Sequence, residues 1–211
     1  MTPMTVPPVI HADDHLVVFM KPTNLLSVPG IGPEKADCLV ARAQASFPGI
    51  RIVHRLDRDT SGLIVLARDP DTHRDLSIQF QEREIGKRYE ALILGEPAAD
   101  EGCIDAAIRK DMDNPPRQCI DPEQGRPSQT NWRVLQRLGD HTRLELAPQT
   151  GRSHQLRLHL LHIGHPILGD DLYAPPEALA MADRLSLHAT YLAFRHPGTG
   201  DDVAFEHAAP F

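Results

Sequence analysis

The chain has 211 residues, of which 41% are hydrophobic and 24% charged, and its formal net charge is −7. These values are typical of one soluble globular domain, or at most two small ones, and exclude a low-complexity chain. The acidic balance argues against a protein that coats nucleic acid by bulk attraction. No apolar run approaches the ~18 residues that cross a bilayer, and the start of the chain lacks a signal-peptide pattern.

The first half of the chain alternates between strand and helix patterns. We expect a short flexible tail at 1–8, a strand at 15–20, a loop at 24–30, a helix at 35–47, a polar turn at 54–62, a strand at 63–68, a helix from 69 to about 86, and a strand at 88–94.

The second half is richer in strand patterns. It predicts a strand at 103–108, an exposed loop or hairpin at 111–126, strands at 130–138 and 142–146, a helix at 153–163, and strands at 186–195 and 203–205. Runs of strands with a few inserted helices and no βαβ regularity predict an α+β fold. We expect one domain at 9–211, with a largely antiparallel mixed sheet flanked by helices and loops.

The three cysteines, Cys38, Cys103 and Cys119, are widely separated and form no CxxC pattern. They therefore predict neither a disulfide framework nor a thiolate metal site, and favour the reducing cytoplasm. We expect all three to be packing residues.

Charge is unevenly distributed along the chain. Residues 109–157 carry nine arginines and lysines against six acids, whereas residues 170–211 carry two against seven. A local basic face on an acidic protein is compatible with binding a small folded RNA, and a genomic arginine bias explains it equally well.

A polar turn at 54–62 leads into an apolar strand and is the most informative segment. Asp57 lies in this turn, where a carboxylate can be partly desolvated and oriented as a nucleophile or base requires. The alternative on chemistry alone is a turn in which Asp57 caps a backbone amide.

This segment resembles the active-site signature of the RluA-type pseudouridine synthase family, in which HRLD is followed two residues later by TSG. Further segments agree with the family in order: KPTNLLSVPG at 21–30, KRYEA at 87–91, TGRSHQLR at 150–157, GHPILGD at 164–170 and LHA at 187–189. The resemblance covers residues 9–211. It implies a pseudouridine-synthase-like catalytic domain that isomerises uridine without a metal or another cofactor.

By the same resemblance, Asp57 is the catalytic aspartate. Arg157 is placed against it, since a guanidinium favours the charged form of a carboxylate. Tyr89 matches the tyrosine that stacks on the target uracil. The alternatives are a surface helix arginine for Arg157 and a core-facing strand tyrosine for Tyr89.

Four further residues are assigned to RNA binding. The resemblance suggests that Arg55 fills the gap left by the flipped base and that Leu187 packs on the base from the other side. Arg152 and His154 are expected to anchor phosphates or the start of the helix, which Ser153 or Gly151 would open.

Two departures from the common family pattern are Asn24, where many relatives have glycine, and Ala174 after Tyr173. The second resembles the small subgroup that acts on both a tRNA anticodon stem-loop and a 23S rRNA hairpin. An N-terminal S4 RNA-binding domain is not expected. Structured RNA is therefore the predicted partner, with no membrane and no obligate protein partner. A single rRNA or tRNA target within the same family is the alternative.

Two other classes of function compete with this interpretation. Histidines at 154, 159, 162 and 165 have spacing that metal-dependent hydrolases use, although no HExxH pattern accompanies them. A degenerate, non-catalytic RNA-binding module is the second alternative.

Overall fold

The computed structural model describes residues 5–211, which divide into two compact units. The first unit comprises the chain up to Lys87 together with Ala189–Ala209, and the second comprises Arg88–His188 with Pro210–Phe211. The domain bounds 9–211 stay a prediction. Residues 1–4 of the predicted tail lie outside the described residues, whereas the Pro8 carbonyl accepts a hydrogen bond from the Met20 amide at 2.9 Å.

Twelve strands and four α-helices follow one another along the described residues. The strands are β1 (Val9–Ala12), β2 (Leu16–Lys21), β3 (Arg51–Ile52), β4 (Ser61–Ala67), β5 (Gly86–Leu94), β6 (Glu101–Asp105), β7 (Ile108–Lys110), β8 (Gln118–Ile120), β9 (Gln129–Arg137), β10 (His141–Pro148), β11 (Leu187–Arg195) and β12 (Asp202–Glu206). The helices are α1 (Leu39–Gln44), α2 (Pro70–Glu82), α3 (Gln155–His162) and α4 (Pro176–Ala180).

In the first unit, β2 is the central partner of two antiparallel neighbours, β1 and β4. β3 also pairs with β4, and β12 pairs with β11. Lys21, the last residue of β2, lies opposite Gly62 near the start of β4. The loop that follows β2 and the loop that precedes β4 therefore lie at the same end of this strand pair.

Gly62 brings the start of β4 against β11. Its φ is +120°, and a Cβ built on it would lie 2.4 Å from both the backbone nitrogen and the backbone oxygen of Ala189. Only glycine fits at this approach. The glycine of the TSG motif thus fixes where the loop before β4 enters the sheet.

In the second unit, β5, β10, β9 and β6 pair in that order, each pair antiparallel. β7 and β8 form a separate short hairpin. The core combines Leu144 and Leu146 of β10 with Leu156 and Leu160 of α3. Leu144 and Leu146 are two residues apart and point to the same face of the strand, and Leu156 and Leu160 are four apart and share one face of the helix.

The α+β class and the antiparallel pairing are confirmed, and the differences are local. The predicted helix at 35–47 begins only at Leu39, whose amide donates to the Leu26 carbonyl at 2.7 Å. A contact with another loop, and not local propensity, therefore sets the start of α1. Cys103 is exposed while Cys38 is buried, so the expectation that all three cysteines are packing residues is wrong for Cys103.

Candidate active site

The loop at 53–60, between β3 and β4, carries Asp57 and Arg55. Asp57 is half-buried and Arg55 is exposed. Within residues 5–211, the Asp57 carboxylate makes no hydrogen bond and no ion pair. It therefore does not cap a backbone amide, and its oxygens can interact with a bound molecule.

Hydrogen bonds from the Lys21 side chain fix the backbone of this loop. The side chain is fully buried, and its ammonium donates hydrogen bonds to the carbonyls of Pro22 (2.9 Å), Leu25 (2.7 Å) and Arg58 (3.0 Å). A buried ammonium is stable only when its donors are satisfied, and these carbonyls satisfy them. The residue directly after Asp57 is thereby tied to the loop that follows β2.

Two hydroxyls complete this attachment on both sides of Asp57. Ser27 Oγ donates to the Leu56 carbonyl at 2.8 Å and accepts from the Leu56 amide at 3.1 Å. Thr23 Oγ1 donates to the Asp59 carbonyl at 2.8 Å. The backbone around Asp57 is thus fixed at three residues while its carboxylate stays accessible.

His54 pins the beginning of the loop to β4. Its Nε2 accepts a hydrogen bond from the Val65 amide at 3.2 Å, and its ring stacks on Phe80 with centroids 4.5 Å apart. Burial and, to a smaller extent, the nearby Lys87 ammonium together lower the pKa of His54 to about 3. The ring is therefore neutral at physiological pH, and its contacts give it a structural role.

The replacement Lys21→Met is expected to lower the free energy of unfolding by about 3 kcal/mol, because the buried Leu25 carbonyl and the partly buried Pro22 and Arg58 carbonyls lose a donor. Thr23→Val removes one bond to one carbonyl and should cost only about 1 kcal/mol. Urea unfolding followed by circular dichroism measures both. Equal stability of the two variants would contradict the role given to Lys21.

In the second unit, Arg157 lies inside the structure. Its side chain is 1% exposed, and Nε donates to Asp170 Oδ2 at 2.7 Å while Nη2 contacts Asp170 Oδ1. Nη2 also reaches Asp171 Oδ1 at 3.1 Å. The alternative of a surface helix arginine is wrong. The sequence analysis placed Arg157 against Asp57. In the structure it pairs with Asp170 and Asp171 of its own unit. A role of Arg157 toward Asp57 stays a prediction.

Tyr89 and Leu187 both contact the core of the second unit. Tyr89 is half-buried on β5 and packs on this core, and its stacking on a uracil stays a prediction. Leu187 is 2% exposed and belongs to the core itself. Packing explains Leu187 fully, and its contact with a base stays a prediction.

His154 stands at the start of α3, and its side chain makes no capping hydrogen bond to the helix. It is the N-cap residue, in place of Ser153 or Gly151, with a left-handed φ of 54°. Its Nδ1 lies 2.7 Å from the hydroxyl of Tyr173, a residue to which the sequence reasoning gave no role. Arg152 is half-buried, and its guanidinium donates to the Pro127 carbonyl at 3.4 Å. Phosphate binding by Arg152 and His154 stays a prediction.

The histidines of the predicted metal alternative are engaged separately. His159 is fully buried, with Nδ1 at 2.9 Å from Thr130 Oγ1 and Nε2 at 3.0 Å from the Ala106 carbonyl, and burial lowers its pKa. His165 Nδ1 lies 3.0 Å from the Leu94 carbonyl. No cluster of three or more His, Cys, Asp or Glu residues in the part of the chain described is arranged to hold a metal ion.

The basic stretch is largely neutralised by ion pairs. Four of its arginines each contact a carboxylate: Arg109–Asp121 (2.6 Å), Arg133–Glu145 (2.8 Å), Arg137–Asp100 (2.6 Å) and Arg143–Glu90 (2.9 Å). Lys110, Arg117 and Arg126 are exposed and have no carboxylate partner among residues 5–211. These three cations lie in or beside the β7–β8 hairpin, and the same segment also carries the acids Asp111, Asp113 and Glu123.

Within residues 5–211, no helix is both long enough and apolar enough to cross a membrane.

Comparison with known proteins identifies the fold and the family together. The family model described as RNA pseudouridylate synthase matches residues 15–162. The structure of Human RNA Pseudouridylate Synthase Domain Containing 1 superposes with a TM-score of 0.82 at 28% identity, covering 100% of this chain and 87% of that one. Human RNA Pseudouridylate Synthase Domain Containing 4, with a TM-score of 0.77 at 24% identity over 96% of this chain and 88% of that one, shares the fold.

Bacterial relatives are more similar in sequence. The Dual-specificity RNA pseudouridine synthase RluA of Yersinia pestis is 48% identical over 96% of this chain and 99% of its own length. The protein of the same name from Escherichia coli strain K12 is 47% identical over 96% of this chain and 93% of its own. The ordered motifs, the fold and these matches over nearly the whole chain lead to one conclusion: the chain belongs to the RNA pseudouridylate synthase family.

Proposed function

We propose that this enzyme converts uridine to pseudouridine in two structured RNAs, a tRNA anticodon stem-loop and a 23S rRNA hairpin. The observation that carries the proposal is the Asp57 loop, in which the backbone is fixed on both sides and the carboxylate has no partner among the described residues. Two RNA targets are supported by the dual-specificity name of relatives about as long as this chain.

In the proposed reaction, Asp57 acts on the ribose of a uridine that has been flipped out of its stack. The bond between C1′ and N1 breaks, the uracil turns, and a bond between C1′ and C5 forms. C5 loses its proton and N1 gains one, so nothing is oxidised or hydrolysed. Both possible roles of Asp57, attack on C1′ or removal of a sugar proton, need an ionised carboxylate at a fixed position.

The remaining side chains hold the RNA in this proposal. Tyr89 stacks on the uracil, a role that its half-buried position on the core supports. Arg55, exposed two residues before Asp57, occupies the gap that the flipped base leaves. Arg157 orients the Asp57 carboxylate, and Leu187 packs on the face of the base opposite Tyr89.

The phosphate grip is assigned to the β7–β8 hairpin and its flanks. Lys110, Arg117 and Arg126 supply exposed cations that form no ion pair among the described residues. Stem-loop RNA is recognised mainly through its backbone and its splayed loop bases, which such a small cationic element can contact. The overall charge of −7 then limits unspecific binding to other nucleic acid.

We place the enzyme in the cytoplasm, where its RNA substrates are. Cys38, Cys103 and Cys119 are free thiols, which suits a reducing compartment. The chemistry is carried by side chains, so the purified chain should act alone and without a metal.

The substrate assignment is tested with two synthetic hairpins labelled with tritium at uridine C5. We expect each hairpin to release tritium from one uridine, with the rate unchanged by EDTA because no metal takes part. Matched hairpins with the same stem and a scrambled loop serve as controls and should release none.

Three outcomes would contradict the proposal at different levels. Modification of intact ribosomal subunits but of neither hairpin would refute the two-target assignment and keep the chemistry. Loss of activity with EDTA and rescue by zinc would revive the metal alternative. Tight RNA binding with no release from any RNA would favour the non-catalytic module.

A further inference from the structure

Tyr173 stands on a turn that is built around the buried Asp170. Asp170 Oδ1 accepts hydrogen bonds from the amides of Leu172 (2.9 Å) and Tyr173 (3.0 Å), while the other carboxylate oxygen accepts from Arg157 Nε at 2.7 Å. Asp170 is 1% exposed. Its two oxygens thus tie the backbone of the turn to the guanidinium of Arg157, and the position of the Tyr173 side chain follows from that pairing.

The Tyr173 hydroxyl joins two other segments of the second unit. It accepts a hydrogen bond from the Gln118 amide at 2.9 Å and lies 2.7 Å from His154 Nδ1. A tyrosine hydroxyl can both donate and accept, so it can bond the Gln118 amide and the His154 ring at the same time, with the tautomer of the ring deciding which of the two groups donates. The chain of bonds runs from the hairpin through one hydroxyl to the start of α3.

The ring of Tyr173 adds contacts to the same two segments. The Arg157 guanidinium carbon lies 5.2 Å from the ring centroid and that of Arg117 lies at 5.9 Å, both within the range of cation–π attraction. His154 meets the ring edge-on at 5.6 Å. One side chain therefore contacts the hairpin, the helix start and the buried guanidinium together.

The hairpin needs such external support because it is short. β7 and β8 share three residue pairs, and the pair nearest the loop joins Lys110 to Gln118. Two-stranded hairpins are at best marginally stable in water. The bond from Gln118 to Tyr173 therefore acts where the hairpin opens into the loop at 111–117, which bears Arg117.

We propose that Tyr173 is a positioning residue that holds the β7–β8 hairpin in place for RNA binding and couples it to Arg157 and the start of α3. The inference rests on the proposed function, in which this hairpin grips the RNA. A hairpin that is already in place loses little conformational freedom when RNA binds, so the contribution of Tyr173 appears in RNA affinity and not in the chemical step.

The test compares Tyr173→Phe, which removes the hydroxyl and keeps the ring, with Tyr191→Phe. Tyr191 is a half-buried tyrosine on β11 in the first unit, and its variant controls for the loss of any tyrosine hydroxyl. We expect Tyr173→Phe to raise KM for RNA and speed amide exchange at Gln118, each by about 5-fold, which is the worth of one net hydrogen bond. Its kcat should stay within about twofold of wild type, and the control should change none of these.

A second pair of variants separates positioning from general destabilisation. His154→Asn removes the ring that is hydrogen-bonded to the tyrosine hydroxyl and keeps a residue type that tolerates the left-handed backbone, so it should raise KM in the same way. Lys110→Ala should raise KM less in the Tyr173→Phe background than in wild type, because Lys110 contributes less to RNA binding when the hairpin is not held in place.

The outcomes distinguish this inference from the function on which it rests. An active wild type with unchanged KM in Tyr173→Phe would overturn the positioning role, whether or not Gln118 exchange had changed, and would leave the proposed function standing. Additive effects of Lys110→Ala and Tyr173→Phe would also overturn it. A wild type that modified none of the RNAs would overturn the proposed function, and the positioning role with it, although exchange at Gln118 without RNA would still report the contact.

Discussion

The variant Asp57→Asn is expected to lose pseudouridine formation, with kcat reduced by about 10³-fold or more, because an amide is neither a nucleophile nor a base. Its fold and RNA affinity should remain close to wild type. The Asp57 carboxylate has no hydrogen-bond or ion-pair partner within residues 5–211, so the amide disturbs no contact there. Tritium release under single-turnover conditions measures the chemical step, and a filter-binding assay measures the affinity.

Asp59→Asn is the matched control, since it makes the same change two residues later in the same loop. The Asp59 side chain pairs with Arg58 at the surface, at 2.9 Å, and its backbone carbonyl, which Thr23 holds, is unchanged by the substitution. This variant should keep most of the activity. Equal losses in the two variants would mean that the loop needs negative charge in general, and turnover by a sequence-verified Asp57→Asn protein would refute the catalytic assignment.

Arg157→Met is expected to lower the free energy of unfolding by about 3–5 kcal/mol, because it leaves the carboxylate of Asp170 buried without its cation. Both side chains are 1% exposed, so water cannot replace the missing partner. Activity should fall as well, since Arg157 belongs to the proposed site. The sequence alone predicts that the variant loses much more activity than stability. Because the Arg157–Asp170 pair is buried, the structure predicts a large loss of activity and also a large loss of stability. Urea unfolding measures the stability.

A second substitution tests the reason for this loss. Asp170→Asn removes the charge and keeps an oxygen that can accept from the Leu172 and Tyr173 amides. In the Arg157→Met background it should therefore recover part of the lost stability, because the buried group is no longer charged. A double variant as unstable as the sum of the single variants would show that lost packing, and not the orphaned charge, causes the effect.

Several elements could be predicted because their signals are local. Asp69 followed by Pro70 predicted the start of α2, and Asp69 Oδ1 does accept from the amides of Asp71 and Thr72, both at 2.9 Å. The apolar run after Gly62 predicted β4, whose seven residues are all buried. Gly139 predicted the turn between β9 and β10, and its φ is +90°.

Other elements depend on partners that are distant in the sequence. The short β1 was missed because Val9 is 44% exposed and its strand shows no clean alternation. The start of α1 was placed too early because the carbonyl of Leu26, and no local cap, receives the Leu39 amide. Ion pairs neutralise four arginines of the basic stretch, and charge counting along the chain cannot show which cations have acids beside them.

The sequence by itself determined the family and the fold class and made the Asp57 loop the candidate site, because ordered motifs and hydrophobic periodicity depend only on the order of the residues. Only the tertiary structure decided which groups hold that loop and which acid pairs with Arg157. Lys21 reaches the Arg58 carbonyl 37 positions away, and Arg157 reaches Asp170 13 positions away. A buried charge must be met by partners once it leaves water, and only the folded chain decides which groups are close enough to meet it.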